Sequence, residues 1–117
     1  GDNKSALKVC SHALKSHEND DTLHRNKGNI LYALDESEKA LEAFEKALDL
    51  NPYVVDTWVN KGTVLWKGLT EREKALAAFD KALEINPNFM AAVDSRINLM
   101  AEIKANRPPF WKRIFGG

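Results

Sequence analysis

Residues 26–34 read NKGNILYAL and residues 60–68 read NKGTVLWKG, so Asn-Lys-Gly recurs 34 residues apart and runs each time into an apolar stretch with an aromatic near its end. The match continues downstream, where KALEAFEKALDLNP at 39–52 lies over KALAAFDKALEINP at 74–87. Gly28 and Gly62 are 34 apart, but Ala40 and Ala75, like Pro52 and Pro87, are 35 apart. One residue is therefore inserted between Gly62 and Ala75. Gly68, in WKGLTE, is its expected place, because glycine accepts the left-handed conformation that ends a helix. Upstream, SALKVCSHAL at 5–14 puts Ala6, Cys10 and Ala13 where the next unit has Ala40, Phe44 and Ala47. Downstream, MAAVDSRINLM begins three residues after Pro87, as VDTWVNKGTVL begins three after Pro52. The chain holds a half unit, two full units and a half unit, an arrangement expected of a stacked repeat.

Each unit reads as two helices. In the second, Ala40, Leu41, Phe44, Ala47 and Leu48 recur at 3–4 spacing as a one-sided apolar stripe, while Glu42, Glu45 and Lys46 face away. The segments DESE at 35–38 and TERE at 70–73 predict side-chain caps with a glutamate three residues on. Asn-Pro ends each second helix, since the residue before proline is driven out of the α region. The first helix carries His24, Gly28 and Leu31 in one unit and Trp58, Gly62 and Leu65 in the next. A glycine inside a helix costs about 1 kcal/mol. It is expected where two backbones come close, with Ala40 and Ala75 opposite.

The chain has 117 residues, and 17 Lys plus Arg balance 17 Asp plus Glu. A net charge of zero argues against nucleic acid as the partner, which calls for a basic surplus. The single cysteine, Cys10, excludes an internal disulfide and fits a reducing, cytoplasmic setting. No apolar run approaches the ~18 residues of a membrane span. There is no glycine-rich phosphate loop and no sign of a cofactor. Cys10 has no histidine placed to activate it and reads as a small buried thiol.

The pattern resembles the tetratricopeptide repeat (TPR), whose 34-residue motif is W-x2-L-G-x2-Y followed by A-x3-F, A and P. The places of the motif hold Trp58, Gly62, Leu65, Ala75, Phe79, Ala82 and Pro87 in one unit, and His24, Gly28, Leu31, Ala40, Phe44, Ala47 and Pro52 in the other. The departures are Lys27 and Lys61 where leucine is usual, His24 for tryptophan, and Leu31 and Leu65 for tyrosine. The resemblance implies an all-α, right-handed solenoid of helix-turn-helix units, about six helices with a short C-terminal tail. Its divisions are a second helix at 1–20, repeats at 21–54 and 55–89, a partial repeat at 90–104, and an aromatic-basic tail at 105–117.

The resemblance also implies a function: a protein-protein interaction module, acting as a scaffold without catalysis, that holds a peptide in the concave groove lined by its first helices. Carried over, the groove positions include Arg25, Asn26, Asn29 and Tyr32, then Asp56, Val59, Asn60, Thr63, Trp66 and Lys67, then Asp94 and Asn98. Tyr32 and Trp66 are the expected apolar anchors. Relatives that clamp a terminal carboxylate use basic residues and asparagines at such places. Arg25, Asn29 and Asn60 fill three of those roles, but Ala91 and Ser95 stand where two further basic residues are required. Asparagines at these positions also serve structurally by bonding neighbouring backbone. Two alternatives accompany the groove: self-association through the open solenoid end, and metal sensing by His17, Asp20, Asp21 and His24, for which the competing reading is that Asp20 or Asp21 caps the next helix. In the tail, Phe110, Trp111, Ile114 and Phe115 are spaced to share one face of a short helix. The expectation is a cap folded over Val93, Ile97 and Met100; docking on a neighbouring chain and contact with a membrane surface are the other readings.

Overall fold

The computed structural model describes residues 2–116, apart from the side chains of Phe110, Trp111 and Phe115. Helices account for nearly all of it: α1 (Asp2–Ser16), α2 (Asp21–Ala33), α3 (Ser37–Leu50), α4 (Val55–Thr63), α5 (Arg72–Ile85), α6 (Met90–Ala105) and the short α7 (Phe110–Phe115). α4 runs on without a break into a π-helical turn, Val64–Gly68. Neighbouring helices pack in chain order, most extensively α2 on α3 and α4 on α5, which are the two helices of each full repeat. The result is an elongated body of 58 × 30 × 21 Å.

The core repeats as the sequence does. Leu31, Ala40, Ala43, Phe44 and Val64 form one cluster, and Leu65, Ala75, Ala78, Phe79 and Leu99 form the next. Phe44 and Phe79 are fully enclosed, and burial of each ring stabilises the fold by roughly 1.5–3 kcal/mol. Each ring lies against a glycine. A Cβ on Gly28 would stand 2.6 Å from Phe44 Cε1, and a Cβ on Gly62 would stand 2.6 Å from Phe79 Cε1. The groups nearest the glycines are thus the phenylalanine rings, where Ala40 and Ala75 were expected. The alanines are buried in the same clusters, and the glycines admit a flat ring rather than a second backbone.

The inserted residue is absorbed in the π turn. The Leu69 N–H donates to the Val64 carbonyl, five residues back, at 3.0 Å. Downstream, the Glu36 N–H reaches the carbonyl of Leu31, whereas the equivalent Glu71 N–H reaches that of Leu65, one residue further away in sequence. Single π turns are the usual way for a helix to take up one extra residue. Gly68 does not adopt the left-handed conformation expected of it. That conformation falls on Asp35 (φ 63°) and Thr70 (φ 56°). What Gly68 supplies is space, because the Ser37 side chain occupies the position of its absent Cβ.

The caps divide between expectation and correction. Asp20 caps α2, accepting from the N–H groups of Thr22 (2.9 Å) and Leu23 (3.3 Å). Neither DESE nor TERE forms a side-chain cap: Glu36 and Glu71 take the cap positions of α3 and α5 and make no such hydrogen bond. The residues expected to cap, Asp35 and Thr70, are consumed in the left-handed turn one place earlier. Asn51 and Asn86 are extended before their prolines as expected, and each amide oxygen accepts from the N–H two residues on. Cys10 is buried, and its thiol donates to the Leu23 carbonyl at 3.2 Å. Burial pushes that thiol's pKa up, with the Lys27 ammonium opposing.

α7 does not cover the end of the solenoid in the expected way. Ile97 and Met100 on α6 remain 60% and 41% exposed, and Ile114 is exposed as well. The remaining aromatic side chains of the expected face, Phe110, Trp111 and Phe115, lie outside the described residues.

Candidate functional site

The carried-over groove positions lie on α2, on α4 with its π turn, and on α6. All are at the surface: Asn26, Asn29, Asp56, Lys67, Asp94 and Asn98 are exposed, and Arg25, Tyr32, Val59, Asn60, Thr63 and Trp66 are half-buried. Asn29 and Asn60 make no side-chain hydrogen bond to another described residue, and Arg25 has no ion-pair partner among them. The asparagines are therefore not fastened to neighbouring backbone, which removes the structural role weighed for them. Thr63 is spent locally, its hydroxyl donating to the Val59 carbonyl at 2.9 Å.

Trp66 is more than an apolar anchor. Its indole N–H donates to Glu102 on α6 at 2.8 Å. Its ring meets Phe79 edge-on, with centroids 6.3 Å apart. The Lys67 ammonium sits 3.8 Å from its centroid, a cation–π contact. Glu102 also accepts from Arg72 on α5 at 2.7 Å. The Arg72 hydrogen bond, seconded by that from Trp66, holds the Glu102 carboxyl below the usual glutamate range. Trp66, Arg72 and Glu102 thus tie α5 and α6 to the π turn. The reading of Trp66 as an apolar groove anchor missed this; its partner is 36 residues away in a half repeat with no companion to compare.

Two clefts, of about 530 and 470 Å³, open where a first helix meets second helices, one lined by α1, α2 and α3 and the other by α3, α4 and α5. They are the same cleft one repeat apart. Leu7, His24, Lys27, Leu31, Lys39 and Lys46 line the first, and Leu41, Trp58, Lys61, Leu65, Lys74 and Lys81 occupy the matching places in the second. In the second cleft all three lysines are paired, Lys61 with Glu45, Lys74 with Glu71 and Lys81 with Glu84. The signal for these clefts was the lysine at 27 and 61 in place of leucine.

The proposed metal cluster is dispersed. Asp20 is engaged as a cap, His24 Nε2 lies 2.7 Å from the Glu18 carbonyl, and His17 Nδ1 lies 3.3 Å from that of Ala13. Among the described residues no group of three or more His, Cys, Asp or Glu side chains is placed to hold a metal ion. None of the described helices is long and apolar enough to cross a membrane.

Family profiles described as tetratricopeptide repeat match residues 22–53 and 55–89, which together make up more than half of the chain. The chain belongs to the tetratricopeptide repeat family. No curated protein sequence matches it significantly. Among solved structures it is similar to the first TPR of Spaghetti (RPAP3) bound to HSP90 peptide, at 17% identity and TM-score 0.84, covering 89% of this chain and 82% of that one. It is similar to YrrB, described as a TPR protein with an unusual peptide-binding site, at 30% identity and TM-score 0.76 over 80% of this chain and 48% of that one. The Sgt2 TPR domain from Aspergillus fumigatus matches at 22% identity and TM-score 0.83, over 92% and 75%. The chain thus spans most of the isolated TPR domains but about half of YrrB.

Two of the departures from the TPR motif, His24 and Lys61, have physical explanations. Trp58 donates its indole N–H to the Pro52 carbonyl at 2.8 Å. His24, in the tryptophan's place, sets Nε2 2.7 Å from the Glu18 carbonyl, likewise six residues upstream. A carbonyl only accepts, so the proton lies on Nε2. Histidine thus reproduces the tryptophan's hydrogen bond with a smaller ring. Lys61 lays its stem along the surface and places its ammonium 5.3 Å from the Trp58 centroid, which accounts for a lysine in a leucine position.

Proposed function

We propose that this TPR module binds an extended segment of a partner protein across α2, α4 and α6, and acts as a scaffold without catalysis of its own. The observation that carries the reading is the unengaged state of Arg25, Asn29 and Asn60 on successive first helices. An amide on a helix surface offers both a donor and an acceptor, which suits the peptide bonds of an extended chain. Arg25 supplies a charge-assisted hydrogen bond to a carboxylate. Tyr32, half-buried on the first cluster, offers an apolar contact beside them. Family membership supports the reading, as do the HSP90 peptide on the Spaghetti (RPAP3) repeat and the peptide-binding site of YrrB. Ala91 and Ser95 provide no further cations, so the ligand is a segment with limited negative charge rather than a strongly acidic tail. Asp56, Asp94 and Lys67 at the rim set its charge preference.

The duplicated clefts favour one competing site, since the same lysine-rimmed concavity recurs in both full repeats. A random peptide library displayed against residues 1–117 distinguishes the two. Selected binders are retested on Asn29→Ala/Asn60→Ala and on Lys27→Ala/Lys61→Ala. The groove reading predicts that the asparagine pair weakens binding by more than about 1 kcal/mol, the scale of an interface hot spot, and that the lysine pair does not. The reverse result moves the site to the clefts.

A further inference from the structure

The two clefts are built alike but differ in how their lysines are neutralised. In the second, Glu45 projects from α3, and its carboxylate lies 3.5 Å from the Lys61 ammonium. The same place in the first cleft, 34 residues earlier on α1, holds Ser11. Lys27, the counterpart of Lys61, is half-buried and has no ion-pair partner among the described residues. Lys46 has none either, whereas its counterpart Lys81 pairs with Glu84 at 3.2 Å. Two carboxylates do line the first cleft. Glu36 is paired with Lys39 at 3.8 Å, and Glu42, which stands where the second cleft has Ala77, is exposed and pairs with neither free lysine. The Ser11 hydroxyl makes no hydrogen bond to a described residue.

The α1, α2 and α3 of the first cleft correspond one for one to the α3, α4 and α5 of the second, so the comparison is between complete sites. Leu7, Leu31 and Ala43 give the first cleft an apolar floor. A charge held part-way into such a surface is screened less than one in open water, so pairing it gains more than pairing an exposed lysine. We propose that the first cleft binds an acidic side chain of a partner protein, whose carboxylate takes the place of the missing glutamate beside Lys27 and Ser11. The Lys27 ammonium and the Ser11 hydroxyl donate to that carboxylate. Lys46 adds a second positive charge, and an apolar neighbour of the acidic residue rests on the floor. The second cleft does not bind, because Glu45 already fills the equivalent place. The site uses Lys27 on α2 and none of the groove positions, so it stands apart from the peptide groove.

The test is a titration of the isotopically labelled chain with acetyl-Leu-Glu-Leu-amide into the millimolar range, read by amide chemical shifts. Acetyl-Leu-Gln-Leu-amide is the neutral control, and far-UV circular dichroism confirms that each variant is folded. Saturable shifts are expected at Ser11, Lys27 and Lys46, with Lys61 and Lys81 still, and the neutral tripeptide should give none. Ser11→Glu, which supplies the carboxylate from within, and Lys27→Ala should each weaken binding about tenfold, the loss of one charge-assisted hydrogen bond. Glu42→Ala should tighten it by removing a like charge. Glu45→Ser should free Lys61 and create binding at the second cleft. Absence of saturable shifts in the first cleft overturns the proposal, as does equal binding of the neutral tripeptide, or wild-type binding retained in both Ser11→Glu and Lys27→Ala. Shifts at Arg25 and Asn29 instead would put the tripeptide in the groove and overturn it too. Inorganic phosphate that moves the same amides at about tenfold lower concentration would overturn the assignment to a carboxylate.

Discussion

Gly62 and Phe79 meet face to face: a methyl group added to Gly62 would lie 2.6–2.9 Å from three carbons of the Phe79 ring. The ring is fully buried and has nowhere to retreat. Gly62→Ala gains about 1 kcal/mol of helix propensity, yet overpacking of a tight core costs about 1–3 kcal/mol. The clash wins, and Gly62→Ala is expected to lower stability in urea denaturation, with Gly62→Leu lower still. Gly28→Ala should do the same against Phe44. If Gly62→Ala were as stable as wild type, the ring would not be held where this packing requires it.

Thr70 sits at φ 56°, a conformation in which a β-branched residue is strained. The left-handed region costs an ordinary residue about 1–2 kcal/mol. The matching position of the preceding repeat holds Asp35, whose short polar side chain tolerates that region better. Thr70→Asn and Thr70→Gly are therefore expected to stabilise the chain by about 0.5–1 kcal/mol, seen as a higher urea midpoint at unchanged slope. An unchanged or lower midpoint would show that the threonine side chain contributes more than its strain removes.

Glu102 links stability to pH. Its carboxyl is held below the ordinary glutamate range by Arg72 first and Trp66 second. A lowered folded-state pKa means that the carboxylate stabilises the fold above the unfolded value, and that this contribution is lost as pH falls through the lowered one. Wild type should therefore lose more stability than Glu102→Gln between neutral and acid pH. At neutral pH Glu102→Gln and Arg72→Ala should each be destabilising. Equal pH dependence in wild type and Glu102→Gln would mean that the contact does not persist in solution.

The repeat register was legible because apolar spacing, Asn-Pro stops and paired glycines all repeat, and two copies check one another. Even the inserted residue could be counted. Which groups touch was not legible. Ala40 and Phe44 lie one turn apart on the same stripe, and only the geometry shows that the ring, not the methyl, covers Gly28. DESE and TERE have the composition of a capping box, but the reversal of direction between helices places Asp35 and Thr70 in the left-handed turn instead. The Trp66–Glu102 bond escaped because it crosses from a full repeat to a half repeat. The groove positions could be numbered by family phase, but their freedom from internal hydrogen bonds depends on neighbouring side chains.

Backbone amide chemical-shift mapping tests the central claim most directly. A peptide selected from the random library is titrated into the isotopically labelled chain at a concentration where the chain is dispersed. Binding across the first helices predicts shifts concentrated at Arg25, Asn29 and Tyr32 on α2, at Asn60 on α4, and at Asn98 on α6, with α3 and α5 little changed. Shifts concentrated instead at Lys39, Lys46, Lys74 and Lys81, with the α2 and α4 positions still, would contradict it.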